Sequence, residues 1–130
     1  MKESDFWRLV RASLQNVCST DVHLTRIENI GGGGVSDVNM CLHGSELWIE
    51  LKMARGNQVQ FQPSQLAWIS RHIACGGRVF ILVRKKNEMR LYLGEDAVNL
   101  SRNLEVAPVF STTKPFNWRG LVDTLVGIAK

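Results

Sequence analysis

The run RVFILVR, residues 78–84, constrains the fold of this chain more than any other stretch. Its apolar core is too short for a buried helix and is rich in β-branched and aromatic side chains, so it reads as a strand. A strand with no polar alternation has no face to give to water, and both of its faces must be covered. The chain therefore has to supply layers on both sides of a sheet. Its 130 residues are about what one such domain needs.

The flanking sequence offers those layers. Residues 4–17 place Phe6, Leu9, Val10, Leu14 and Val17 on one side of a helix that Ser4 can cap. VHLTRIENI (22–30) alternates and predicts a strand. After a run of glycines come two short strands, 38–42 and 46–53, joined by a hairpin turn at His43-Gly44-Ser45. A polar loop, 54–62, leads to Pro63, which suits a first helical turn. That helix runs from 63 to about 75, with Leu66, Ile69 and Ile73 as its apolar stripe, and stops at Gly76-Gly77. Past the central strand, Lys85-Lys86-Asn87 turns the chain into EMRLYL (88–93). Its Arg90 and Tyr92 side is expected to face out and could form a dimer edge. Short and C-terminal helices are expected near 95–102 and 117–128. The order α-β-β-β-α-β-β-α predicts an α/β fold, a mixed central sheet flanked by helices. No internal repeat or long linker divides it, so residues 1–130 read as a single domain, with a core over about 3–93 and 94–130 as a C-terminal extension.

Composition narrows the function classes. A net charge of +4 tilts the chain mildly towards polyanions. Three widely spaced cysteines, Cys18, Cys41 and Cys75, make neither a disulfide framework nor a zinc site. The N-terminal stretch MKESDFWRLV has no apolar segment behind it, and nothing approaches a membrane span. The expectation is a cytosolic chain with reduced thiols and no anchor. No Gly-Lys-Ser/Thr follows the glycines, which excludes a P-loop.

Period-two counting then isolates a chemical constellation. In 38–42 and 46–53, Val38, Met40, Leu42, Leu47, Ile49, Leu51 and Met53 take one face of the sheet. Asp37, Glu50 and Lys52 take the other, together with Trp48 and Glu46. Two carboxylates from neighbouring strands can hold one hard divalent cation, with Mg²⁺ the natural choice and Mn²⁺ a substitute. Such a cation acidifies water, and a nearby ammonium can orient the attacking water or offset charge growing on a phosphate. An Asp followed by Glu-x-Lys is a common pattern, and a solvated charged face is the plain alternative. The setting argues against that alternative, because LWIELKM is too apolar for a surface strand and charges inside it are costly unless paired.

GVSDV, then LWIELK, QFQPSQLAWI and RVFILV, together resemble the PD-(D/E)XK nuclease superfamily. Archaeal-type Holliday junction resolvases and virus-type replication-repair nuclease domains are similar in style, over about residues 3–93. The resemblance implies that Asp37 and Glu50 are metal ligands for Mg²⁺, that the backbone carbonyl of Leu51 adds a third, and that Lys52 is the catalytic lysine. It matches Gln65 to the family's glutamine at the start of the flanking helix. It matches Glu3 to an acid that completes the metal site in many members, with Asp5 or Glu28 as alternatives. Ser36 stands where the family usually has proline. The implied activity is a metal-dependent, structure-selective DNA endonuclease, resolvase-like and homodimeric. A flap or nicking nuclease is the alternative within the class, and a non-catalytic DNA-binding protein with the same fold the alternative outside it.

The glycines next to Asp37 admit a further reading. A stretch without Cβ atoms allows close approach of a phosphate backbone. Gly32, Gly33, Gly34 and Ser36 are therefore candidate DNA contacts, and Arg55, Lys85 and Lys86 are candidate phosphate contacts. His72, seven residues after Gln65, falls on the same helix face.

Overall fold

The computed structural model describes residues 2–27 and 34–129. The chain runs α1 (Glu3–Cys18), β1 (Val22–Arg26), β2 (Val38–Leu42), β3 (Ser45–Met53), α2 (Pro63–Ala74), β4 (Val79–Lys85), β5 (Glu88–Leu93), α3 (Ala97–Arg102), β6 (Phe110–Thr113) and α4 (Trp118–Ala129). The six strands form one sheet in sequential order. β3 and β4 are parallel and every other pair is antiparallel. This is the mixed, helix-flanked α/β sheet that the sequence predicts.

The central apolar run is β4, and Val79 to Arg84 are all buried. Its alternate residues feed two separate cores. Phe80 and Leu82 join Val38, Met40, Leu42, Leu47, Ile49 and Leu51 on one face, packed against Phe6, Val10 and Leu14 of α1 and Leu121, Val122 and Leu125 of α4. Ile81 and Val83 face the other way, towards Ile69 of α2, Val59, and Ala97 and Leu100 of α3. Twelve residues of helix cross over between β3 and β4, as a parallel pair requires. The β2–β3 hairpin closes through His43 and Gly44, whose φ values of 49° and 82° are the left-handed pair a type I′ turn demands.

Several expectations change in detail. The first helix is capped at Lys2, not Ser4, and the Lys2 backbone N–H donates to the Asp5 carboxylate at 3.2 Å. β1 ends at Arg26, and residues 28–30 of the longer expected strand lie outside the described residues. β6 has no counterpart in the sequence reading, because FSTT is short, mostly polar and set between prolines. It pairs with β5, so EMRLYL is an interior strand and not a dimer edge. Tyr92 is fully buried there, and Arg90 is held by Glu88 at 2.8 Å. β6 joins the same sheet and α4 the same core as the rest of the chain. Among the described residues no helix is long and apolar enough to cross a membrane.

Candidate functional site

The β2–β3 ladder stops at the pair Val38–Ile49. Two residues further along β3, the Leu51 N–H points towards β2 but meets no backbone carbonyl. It donates instead to Asp37 Oδ2 at 2.8 Å. In an extended strand the N–H and C=O of one residue leave from the same edge, so the Leu51 carbonyl projects on the Asp37 side too. The end of a ladder thus anchors one carboxylate and sets a carbonyl beside it.

Glu50 and Lys52 project from the opposite face to Leu51, under the N-terminus of α2. Glu50 is 1% exposed. Its Oε1 accepts from Gln65 Nε2 at 3.3 Å, while its Oε2 is buried with no hydrogen-bond partner. Gln65 is the third residue of α2 and is oriented by the helix start itself. Its Oε1 accepts from the Gln62 backbone N–H at 2.9 Å, closing a capping box. The same oxygen accepts from Lys52 Nζ at 3.0 Å. One amide therefore ties the carboxylate to the ammonium. Lys52 Nζ also lies 4.7 Å from the centre of the Phe61 ring.

The electrostatics follow from this packing. Burial pushes the Glu50 carboxyl up, to about 10, and the neighbouring Asp37 carboxylate adds to the rise, with Lys52 opposing it. A carboxylate beside a buried carboxyl disfavours its ionisation, and a cation held nearby would relieve that cost. Glu3 is raised as well, first by burial and then by Asp37, so it senses the same cluster. Among the described residues no three His, Cys, Asp or Glu side chains stand close enough to hold one ion. Glu3 is an electrostatic neighbour of the pair. Asp5 is occupied at the helix cap and by Arg8, 3.7 Å away, and Glu28 lies outside the described residues.

A cleft of about 1230 Å³ opens beside the cluster, and Glu3, Lys52, Phe61 and Gln65 line it. Arg55 and Lys86 also border it, as do Lys2 and Arg84, against the single carboxylate of Glu3. Arg55 and Lys86 are exposed, whereas the Lys85 ammonium is bound to Asn57 Oδ1 at 2.7 Å. Gly34 and Ser36, named above as candidate DNA contacts, are both buried. Gly34 has φ +74° and lies against Ser64 and Gln65, where a Cβ would collide with the Ser64 carbonyl. This glycine serves the close approach of two parts of the chain. Gly32 and Gly33 lie outside the described residues. His72 stacks on Trp68, with centroids 4.6 Å apart, and both rings meet Trp48 edge to face. Sequence reasoning missed Phe61, Gln62 and Lys2; nothing local in QVQFQP marks the ring as a neighbour of Lys52.

The structure is similar to that of Hjc, a Holliday junction resolvase from the archaeal hyperthermophile Archaeoglobus fulgidus. The TM-score is 0.57 at 12% sequence identity, over 92% of this chain and 98% of the other. The two share a fold. No family model matches the sequence, and no curated protein sequence does.

Proposed function

We propose that this protein is a metal-dependent nuclease that hydrolyses phosphodiester bonds in DNA, and that branched DNA of the Holliday junction type is its preferred substrate. The observation that carries the reading is Glu50, a buried carboxyl with one orphaned oxygen, pressed against a second carboxylate and beside a lysine. An unsatisfied buried oxygen of this kind is costly unless something occupies it. The oxygen-only donor set of Asp37, Glu50 and the Leu51 carbonyl suits a hard cation such as Mg²⁺ or Mn²⁺. When bound, that cation would supply Lewis acidity at the phosphate and a more acidic water.

The protein's own groups have separable tasks. The Leu51 N–H holds Asp37 in one rotamer. Gln65 keeps Glu50 and Lys52 at a set separation. Lys52 faces the cleft, where its charge can orient a water or offset charge on the phosphate. Arg55 and Lys86 on the cleft rim suit the DNA backbone, and their contribution should weaken with salt. The likeness of fold to Hjc supports a junction as substrate. A junction presents two equivalent strands for cutting, so the reading includes a two-fold homodimer.

The test is cleavage of a labelled four-way junction, a 5′ flap, a nicked duplex and a plain duplex, with Mg²⁺, Mn²⁺ or EDTA. Paired symmetric cuts in the junction that vanish in EDTA and in Glu50→Ala are the expected result. Preference for the flap would shift the substrate. Tight binding without cutting by the wild type in either metal would leave a DNA-binding protein and overturn the enzyme.

A further inference from the structure

A lysine beside two carboxylates has an obvious resting place, an ion pair with one of them. Lys52 does not take it, for no ion pair of Lys52 occurs among the described residues. Its ammonium is held by two neutral groups instead, the Gln65 amide oxygen at 3.0 Å and the Phe61 ring face at 4.7 Å. The negative face of an aromatic ring attracts a cation without neutralising it. An ammonium has three N–H donors and no acceptor. With one on Gln65 and the ring on another side, the remainder is left for the cleft, which both Lys52 and Phe61 line.

We propose that Phe61 is a positioning residue for Lys52, holding the charged ammonium away from the carboxylates and in reach of the substrate phosphate. The proposal rests on the reading above that Lys52 serves phosphodiester hydrolysis.

The chain invests several contacts in the placement of this ring. The segment between β3 and α2 begins with the Ala54 N–H on the Arg84 carbonyl at 2.9 Å. It closes on itself through Arg55 and Gln58, whose backbone bonds are 2.9 and 3.1 Å. Asn57 at its tip is tied twice, by the Lys85 ammonium at 2.7 Å and by the Leu104 N–H at 3.1 Å. Val59 is 1% exposed and plugs the core under α2 and α3. Gln62 then caps α2, with its N–H on the same Gln65 oxygen that Lys52 uses. Phe61 sits between these last two pinned points. Alternation along the segment puts Val59 and Phe61 inward and Gln60 outward. Segment, helix start and ammonium therefore meet at one acceptor. No other residue of the segment offers a π face to Lys52.

The substitution that isolates the ring is Phe61→Leu, which keeps an apolar side chain but removes the quadrupole. Phe61→Tyr restores it. Phe61 is half-buried and packs against the edge of the core under α2 and α3, and both replacements keep an apolar body there, so the fold should tolerate either. Two readouts on the full chain decide the matter. The first is NMR of ¹³C-lysine-labelled protein, with the Lys52 ε-methylene assigned by its loss in Lys52→Arg. The wild type should show an upfield ring-current shift that disappears in Phe61→Leu and persists in Phe61→Tyr. The second is single-turnover cleavage of the junction beside DNA binding measured in EDTA. Phe61→Leu should lower the rate about tenfold, with affinity unchanged, and Phe61→Tyr should recover most of it. A Lys52 resonance indifferent to Phe61→Leu overturns the proposal. So does wild-type cleavage by Phe61→Leu, or a loss in Phe61→Tyr as large as in Phe61→Leu. If the wild type cuts no DNA, the proposed activity falls, and the NMR arm alone still decides whether Phe61 holds Lys52.

Discussion

The two faces of one sheet do opposite jobs. The face under α1 and α4 is closed and apolar, with Phe6, Val10 and Leu14 of one helix and Leu121 and Leu125 of the other against Met40, Leu42, Ile49 and Leu82. The face under α2 and α3 is apolar over β4, β5 and Trp48 of β3. Over β3 it carries Glu50 and Lys52, and the helix meets them with its polar N-terminus rather than with its stripe. The difference lies in which part of a helix lands on the sheet. A helix flank brings methyl groups and excludes polar partners. A helix start brings a capping glutamine whose amide is already oriented, and it can receive a buried charge.

The comparison breaks most sharply at Glu50. Glu50→Gln should lower cleavage by about 10³-fold, since metal contributions of several kcal/mol translate into factors of that size. It should leave the fold intact, because the amide still pairs with Gln65. The same variant tests the electrostatics. The Glu50 carboxyl titrates far higher folded than at its ordinary value of 4.5. The metal-free native state therefore binds more protons than the unfolded chain between pH 4.5 and about 10. Its stability should be fullest below that window and fall as pH rises through it. Thermal melts in EDTA from pH 6 to 9 should show the decline in wild type and a flatter profile in Glu50→Gln. An equal slope in both would remove Glu50 as the source.

On the apolar face the expectation inverts. Phe6→Ala should lose about 3–5 kcal/mol of stability by denaturant unfolding, as for a large side chain cut from a full core. Below the melting transition its cleavage rate should stay close to wild type. A rate loss at full folding would mean the two faces are not independent.

The smallest effect joins the faces through the chain. Gly34→Ala meets the Ser64 carbonyl at a left-handed φ, so it should cost about 1–3 kcal/mol. It should also disturb Gln65 and so lower the rate more than an equally destabilising change in α4. Equal rates in those two variants would show that the contact supports stability alone.

Much of this protein is legible in its pattern of residues. β2, β5 and the start of α2 fall where alternation, a lysine-rich turn and Pro63 place them. Alternation alone also puts Glu50 and Lys52 on the face away from Leu47, Ile49 and Leu51, and the structure brings Asp37 and Gln65 to them. These are readings of local periodicity, which a strand or helix obeys whatever surrounds it. Other features depend on what the chain meets far along its length. FSTT becomes a strand only because β5 offers an open edge. Gly34 is required by Ser64, a residue thirty positions later that no local rule connects to it. Tyr92 is buried although it alternates with apolar neighbours, because α2 and α3 cover its face too. The ring of Phe61 reaches Lys52 only once Asn57, Val59 and Gln62 are pinned to three different parts of the fold. Period and punctuation determined which residues share a face. Only tertiary packing decided which neighbours hold their charges, because that depends on contacts between segments whose separation in sequence carries no signal.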